Sequence, residues 1–196
     1  MIQGIPLPDF APDEEFLPSS NLKASFPIIS SSQLATYLLH PDQNAYDAIV
    51  LGDSRFDYEY GGGFINGATN ILKREDIISL YDKWKSKNVL VIFYCDAFKT
   101  RSMHIAAILH NYDCKKNSPH SIFRHIFILN DGYENFYHLY PQLCSQNGCV
   151  RMRDDFYIRT GAFKKANSNF VSEILYRGKL PRCCSVKFSC PNLTSP

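Results

Sequence analysis

Chemistry is most legible in residues 88–110, NVLVIFYCDAFKTRSMHIAAILH, where Cys95 ends an apolar run and Arg101 opens an amphipathic one. Between them lie Asp96, Ala97, Phe98, Lys99 and Thr100. A loop of this length that runs straight into a helix can turn its backbone N–H groups inward. With the positive end of the helix dipole, those groups make a nest of phosphate size. Arg101 would bind two phosphate oxygens with its planar fork. The same positive field is expected to lower the Cys95 thiol and make it a nucleophile near neutral pH. The chemistry this implies is in-line attack of sulfur on phosphorus, a phosphocysteine intermediate and hydrolysis by water. Arg101 and the loop amides would stabilise the equatorial oxygens in both steps. Asp96, the carboxyl nearest in sequence, is the candidate for protonating the leaving oxygen. The predicted catalytic set is therefore Cys95, Arg101 and Asp96, and the predicted phosphate-binding set runs from Asp96 through Arg101. A cysteine and an arginine at this spacing are a weak signal alone. Their placement at a strand end and a helix start strengthens it.

The surrounding pattern supplies that placement. ISSSQLATYLLH reads as a short capped helix ended by Pro41, and YDAIVLGDSRF as a buried strand with a loop after it. GATNIL is a second strand candidate, and REDIISLYDKWKSK has helical spacing at Ile77, Ile78, Tyr81 and Trp84. NVLVIFY shows no polar alternation, as a strand buried on both faces should. Beyond Arg101, Ile105, Ile108, Leu109 and Tyr112 share one helical face. RHIFILND reads as a further strand and YENFYHLY as a helix stopped by Pro141. Strands alternating with helices predict an α/β fold, a central parallel sheet of about five strands with helices on both faces. Ligands of such sheets bind beyond the carboxyl ends of the strands, where Cys95 falls.

Composition narrows the classes. The longest strongly apolar run, Val89 to Tyr94, is too short to span a membrane. The first twenty residues lack the basic start and apolar core of a signal peptide, so an intracellular protein is expected. Seven cysteines without repeating spacing do not form a secreted disulfide framework. Paired ligand spacings for zinc are missing, so neither metal nor cofactor is expected. Charge is uneven: residues 1–150 carry 12 Lys/Arg against 16 Asp/Glu, and residues 151–196 carry 9 against 3. The basic end would suit an anionic partner or serve only as a solubilising tail. The expected organisation is an irregular arm over 1–25, a catalytic domain over 26–165 and a loosely ordered basic tail over 166–196.

A second stretch, DSRFDYEYGGGFINGATNI at residues 53–71, carries a family resemblance. It resembles the rhodanese-type signature, most closely the form found in M-phase inducer phosphatases, the cell-division-cycle dual-specificity phosphatases. Asp53, Arg55, Tyr58, Glu59, Tyr60, Gly62, Gly63, Ile65, Gly67, Ala68 and Asn70 stand where that family has the same residues. LNDGYENFYHLYPQLC and CVRMRDDF are similar to its later segments, so the likeness covers roughly residues 28–165. Sulfurtransferases of this fold usually carry a shorter cysteine-to-arginine loop, whereas the longer loop here suits a tetrahedral phosphate or arsenate. The resemblance implies a rhodanese-like fold and a protein-tyrosine or dual-specificity phosphatase. It further implies a cyclin-dependent kinase–cyclin complex as phosphorylated partner, a role in promoting cell-cycle progression, and residence in nucleus and cytoplasm. A monomer that binds neither nucleic acid nor membrane is expected. The alternatives are an arsenate reductase of the same fold and a catalytically silent phosphoprotein-binding module.

Several positions depart from the family. Tyr94 replaces a histidine before the nucleophile, removing one hydrogen-bonding support for the thiolate. Thr100 replaces a glutamate before the arginine, and His104 an arginine beyond the loop. Ser54 occupies the place of a back-door cysteine that can shield the nucleophile as a disulfide, so peroxide damage at Cys95 is expected to reverse poorly. Phe64 replaces a histidine and reads as packing. Asp53 and Arg55 read as a structural ion pair, Gly61 to Gly63 as a turn, and Arg151 and Arg153 as either docking cations or plain surface.

Overall fold

The structure is a computed structural model that describes residues 26–43, 45–96, 100–118, 120–146 and 148–176 of the chain. The predicted arm over 1–25 and the end of the tail, 177–196, lie outside the described residues.

Five parallel strands form one sheet in the order β1-β5-β4-β2-β3: β1 (Ile28–Ile29), β2 (Ala48–Asp53), β3 (Thr69–Asn70), β4 (Val89–Tyr94) and β5 (His125–Leu129). Every residue of β4 is buried, because it is central and covered on both faces. The strand's period of two divides the core. Val89, Val91 and Phe93 join a cluster under helices α3 (Arg74–Trp84) and α4 (Thr100–Asn117). Leu90, Ile92 and Tyr94 join a second cluster on the opposite face, under α1 (Ser31–Leu39) and α5 (Gly132–Leu139). The predicted α/β architecture is thus observed, a parallel five-stranded sheet with helices on both faces.

Local chemistry explains the elements. Ser30 caps α1 by accepting from the Gln33 N–H at 3.2 Å, while its own N–H donates to Gln33 Oε1 at 2.9 Å. Gly52 of β2 leaves room for the Phe93 ring, whose nearest carbon would lie 2.4 Å from an added Cβ. A short helix, α2 (Asp57–Gly61), follows β2 and carries Glu59 inward. Ile105 and Leu109 of α4 are fully buried, and Tyr112 meets Tyr81 of α3 edge to face at 5.0 Å between ring centroids.

One boundary needs correction. The sequence predicts a loosely ordered tail from residue 166. Instead α6 (Asp155–Arg159) leads into α7 (Ala162–Phe170) and a π turn (Val171–Tyr176). Phe170 and Ile174 are 7% and 3% exposed in the α3/α4 core. Phe56 holds this segment by edge contacts with Phe163 and Phe170, both at 6.3 Å. The physical reason is spacing. Phe163, Phe170 and Ile174 lie seven and four residues apart, one helical face, but a basic, glycine-flanked context hides that face in composition.

Candidate active site

Cys95 follows β4 directly, and the strand's alternation aims its side chain toward the start of α4. The thiol is buried, 2% exposed, and its Sγ lies 3.6 Å from Ser102 Oγ. Two groups fix the backbone here. The Tyr133 N–H donates to the Cys95 carbonyl at 2.8 Å. Gly132 starts α5 at φ 69°, where an added Cβ would stand 1.3 Å from the Asp96 carbonyl. Only glycine permits that approach and that conformation together.

Arg101 lies in the first turn of α4, 7% exposed. Its Nη1 and Nη2 donate to the two Glu59 carboxylate oxygens at 2.6 and 3.0 Å, a fork-to-fork pair. Nη2 also lies 3.1 Å from Asp96 Oδ1. The guanidinium packs 4.4 Å from the Phe56 ring centroid. Glu59 is fully buried and also accepts the Phe56 N–H at 2.9 Å. Burial pushes the Glu59 carboxyl up, opposed by Arg101. Sequence reasoning matched Glu59 to a motif but missed its role. Its neighbours in α2 are exposed or half-buried, so nothing local in the sequence marks it as a buried carboxylate that needs a cation.

The thiol differs from expectation. Burial pushes Cys95 up to about 11, and Arg101 only partly opposes this. The predicted lowering is outweighed by burial, which disfavours the anion, and the neighbouring Asp96 carboxylate adds to the rise.

Of the other predicted residues, Thr100 is the exposed first residue of α4, and its carbonyl lies 2.7 Å from His104 Nδ1. Ala97, Phe98 and Lys99 lie outside the described residues, and the predicted amide nest with them. Tyr94 faces away from Cys95, and its hydroxyl accepts the Ile65 N–H at 3.2 Å. Ser54 is fully buried beside the end of β4, and its Oγ has no hydrogen-bond partner among the described residues. Phe64 stacks on Tyr60 at 4.4 Å between centroids, the packing role expected of it.

On the opposite face, Asp53 and Arg55 form the anticipated buried ion pair, 2.6 Å from Nη2 to Oδ2. Arg55 also donates to the Gly63 carbonyl at 2.6 Å and lies 3.8 Å from the Tyr133 ring centroid. Beside Asp96 opens a cleft of about 410 Å³ whose lining includes Asp96, Tyr133, Glu134, Arg151, Met152 and Arg153. Arg151 Nε donates to Glu134 Oε1 at 2.9 Å, an exposed pair. Among the described residues, no group of three or more His, Cys, Asp or Glu could hold a metal ion. No described helix is long and apolar enough to cross a membrane.

Comparison with known proteins places this geometry. Residues 35–139 match the rhodanese-like domain. The chain is 28% identical over 173 residues to an M-phase inducer phosphatase of Schizosaccharomyces pombe, covering 86% of this chain and 27% of that protein. It is 35% identical over 135 residues to the M-phase inducer phosphatase cdc-25.3 of Caenorhabditis elegans, covering 60% and 43%. The chain thus spans less than half the length of these curated relatives. Among solved structures it is similar in fold to an As-Sb reductase from Leishmania major, with a TM-score of 0.50 and 22% identity over 60% of this chain and 83% of that one. The sheet, the cysteine at the end of its central strand and these matches agree: the chain belongs to the rhodanese-like domain family.

Proposed function

We propose that the chain is a cysteine-dependent dual-specificity protein phosphatase of the M-phase inducer type, acting through a phosphocysteine intermediate. The observation that carries this reading is the buried Cys95 at the carboxyl end of β4, one loop from an Arg101 held by Glu59 and Asp96. Similarity to curated phosphatases supports it. Glu59 fixes one edge of the guanidinium, so Arg101 is preset to meet an oxyanion and loses little freedom in doing so. An incoming phosphate would take the position of Asp96 on Nη2. The displaced carboxylate would then lie beside both the Cys95 thiol and the leaving oxygen, where it can take the proton of the one and pass it to the other. The substrate in this reading is phosphorylated Thr or Tyr of a cyclin-dependent kinase bound to its cyclin, met by the monomeric protein in nucleus or cytoplasm.

A second reading has one observation in its favour. Cys95 is 2% exposed, and that burial disfavours the thiolate, which suits a module that binds phosphoproteins without turning them over.

The test is hydrolysis of an aryl phosphate and a bis-phosphorylated kinase peptide by wild type, Cys95→Ser and Asp96→Asn. The expected result is wild-type turnover that Cys95→Ser abolishes and Asp96→Asn slows. Phosphopeptide binding without wild-type turnover would replace the phosphatase with the binding module. Thiol-dependent arsenate reduction without phosphatase activity would replace it with a reductase.

A further inference from the structure

Cys144 and Cys149 stand five positions apart on one loop, and both pack on the cluster under α1 and α5. The start of the loop is pinned: Cys144 bridges Ile65 in antiparallel fashion, and the Ser145 N–H donates to the Phe64 carbonyl at 2.8 Å. Its end returns to the same strip. The Gly148 carbonyl accepts the Tyr133 hydroxyl at 2.9 Å and would stand 1.8 Å from a Cβ added at Gly63. A glycine at position 63 thus lets the residue before Cys149 fold back against the chain that holds Cys144. The same Tyr133 hydroxyl is in hydrogen-bond contact with the Cys144 side chain. One phenol therefore touches one thiol and the carbonyl next to the other. The thiols also sense each other, since a charge on Cys149 would push Cys144 up. They differ in access. Cys149 is half-buried and lines the cleft with Arg151 and Arg153, whereas Cys144 is 4% exposed.

We propose that Cys144 and Cys149 are a redox pair that a small anionic disulfide such as glutathione disulfide closes into an internal disulfide. Neither thiol serves the phosphatase chemistry above, and the pair does not depend on it. Disulfide geometry requires Cα atoms within about 7 Å. Both ends of this loop already meet at Tyr133, so closing it asks little movement of the sheet or of α5. Arg151 and Arg153 at the cleft attract the carboxylates of the oxidant, and Arg55 eases ionisation of both thiols against burial. The Cys149 sulfur gives up its proton and attacks one sulfur of the oxidant. The oxidant's S–S bond breaks, and its electron pair leaves on the first glutathione sulfur, which takes up a proton. The Cys144 sulfur then gives up its proton and attacks the Cys149 sulfur. The mixed disulfide breaks, and the second glutathione leaves as a thiol. The protein has lost two hydrogens, and one small disulfide has become two thiols. Closure draws Cys149 out of the cleft lining and anchors the wall that follows it, Val150 to Arg153.

The experiment equilibrates the full chain in buffers of rising glutathione disulfide content, quenches with acid, alkylates the remaining thiols and maps the tryptic digest by mass spectrometry. Both cysteines fall on the peptide from His125 to Arg151. In wild type that peptide should pass from doubly alkylated to unalkylated and two hydrogens lighter. Cys95→Ser should close the pair as wild type does. Cys144→Ala should stop with Cys149 joined to glutathione, the trapped intermediate. Cys149→Ser, at a half-buried position where packing loss is small, should leave Cys144 a free thiol. A wild-type peptide that stays doubly alkylated in the most oxidising buffer would overturn the proposal, as would Cys149 joined to any cysteine but Cys144. Closure seen only in urea would overturn it too, because the folded loop then plays no part. None of these readouts uses turnover, so they decide the pair even if the phosphatase reading fails.

Discussion

Arg55 and Arg101 are built alike and placed differently. Each is buried, each is paired with a carboxylate, and each lies against an aromatic ring, Tyr133 or Phe56. Both reach Glu59: Arg101 through the carboxylate and Arg55, at 3.5 Å, through the carbonyl. They differ in the fate of the remaining donors. Those of Arg55 end on Asp53 and the Gly63 carbonyl, inside the protein. Those of Arg101 include one on Asp96, whose side chain, next after Cys95, is 17% exposed. Arg101 can therefore exchange one partner for an incoming oxyanion and keep the other. Arg55 cannot do so without dismantling the loop it braces. The same ion-pair chemistry thus becomes scaffold or site according to whether one partner is replaceable.

Four measurements would break or sharpen that contrast. The largest effect is expected from Arg55→Met, which strands the buried Asp53 charge and should cost roughly 3–5 kcal/mol in urea unfolding. A loss under 1 kcal/mol would remove the scaffold role. Next, Arg101→Lys should keep the fold by circular dichroism but lower aryl phosphate turnover by about 10²–10³, since an ammonium cannot serve Glu59 and an oxyanion together. Near-normal turnover would place phosphate binding elsewhere.

Third is the pH dependence of stability. The folded Cys95 thiol is raised to about 11, so between its ordinary value and that value the folded state holds a proton that the unfolded state has released. Stability from this group is complete below about pH 9 and is lost as pH rises through 11, by roughly 3 kcal/mol. Cys95→Ala should flatten that portion of the curve, and an unchanged slope would mean the buried thiol is not its source. The smallest effect is expected from Asp96→Asn, a roughly tenfold fall in turnover of substrates with poor leaving groups and less with good ones. An equal fall for both would assign Asp96 to phosphate binding rather than proton transfer.

Much of this was legible in the sequence, because its signals are local. The apolar run of β4, the helical spacing after Arg101 and the residues at 53–71 predict a parallel sheet with Cys95 at a strand end. The paired faces of β4 follow from its period of two. The segment from Phe163 to Ile174 was misread because its few core positions lie in a basic context. It is helical chiefly because Phe56 and the α3/α4 core cover its apolar face, and tertiary packing of that kind overrides weak propensity.

Residue types alone determined that a thiol, an arginine and a carboxyl would share one short loop, since chain connectivity keeps them close. Only the tertiary structure decided their electrostatics. Glu59 arrives from α2, far along the chain, and claims one edge of Arg101. Gly132 and Tyr133 arrive from α5 and set the backbone of the loop. Ser102 reaches Cys95 only because α4 begins where β4 ends. Whether the thiol is raised or lowered depends on burial and on the sum of nearby charges, and neither is a property of neighbours in sequence.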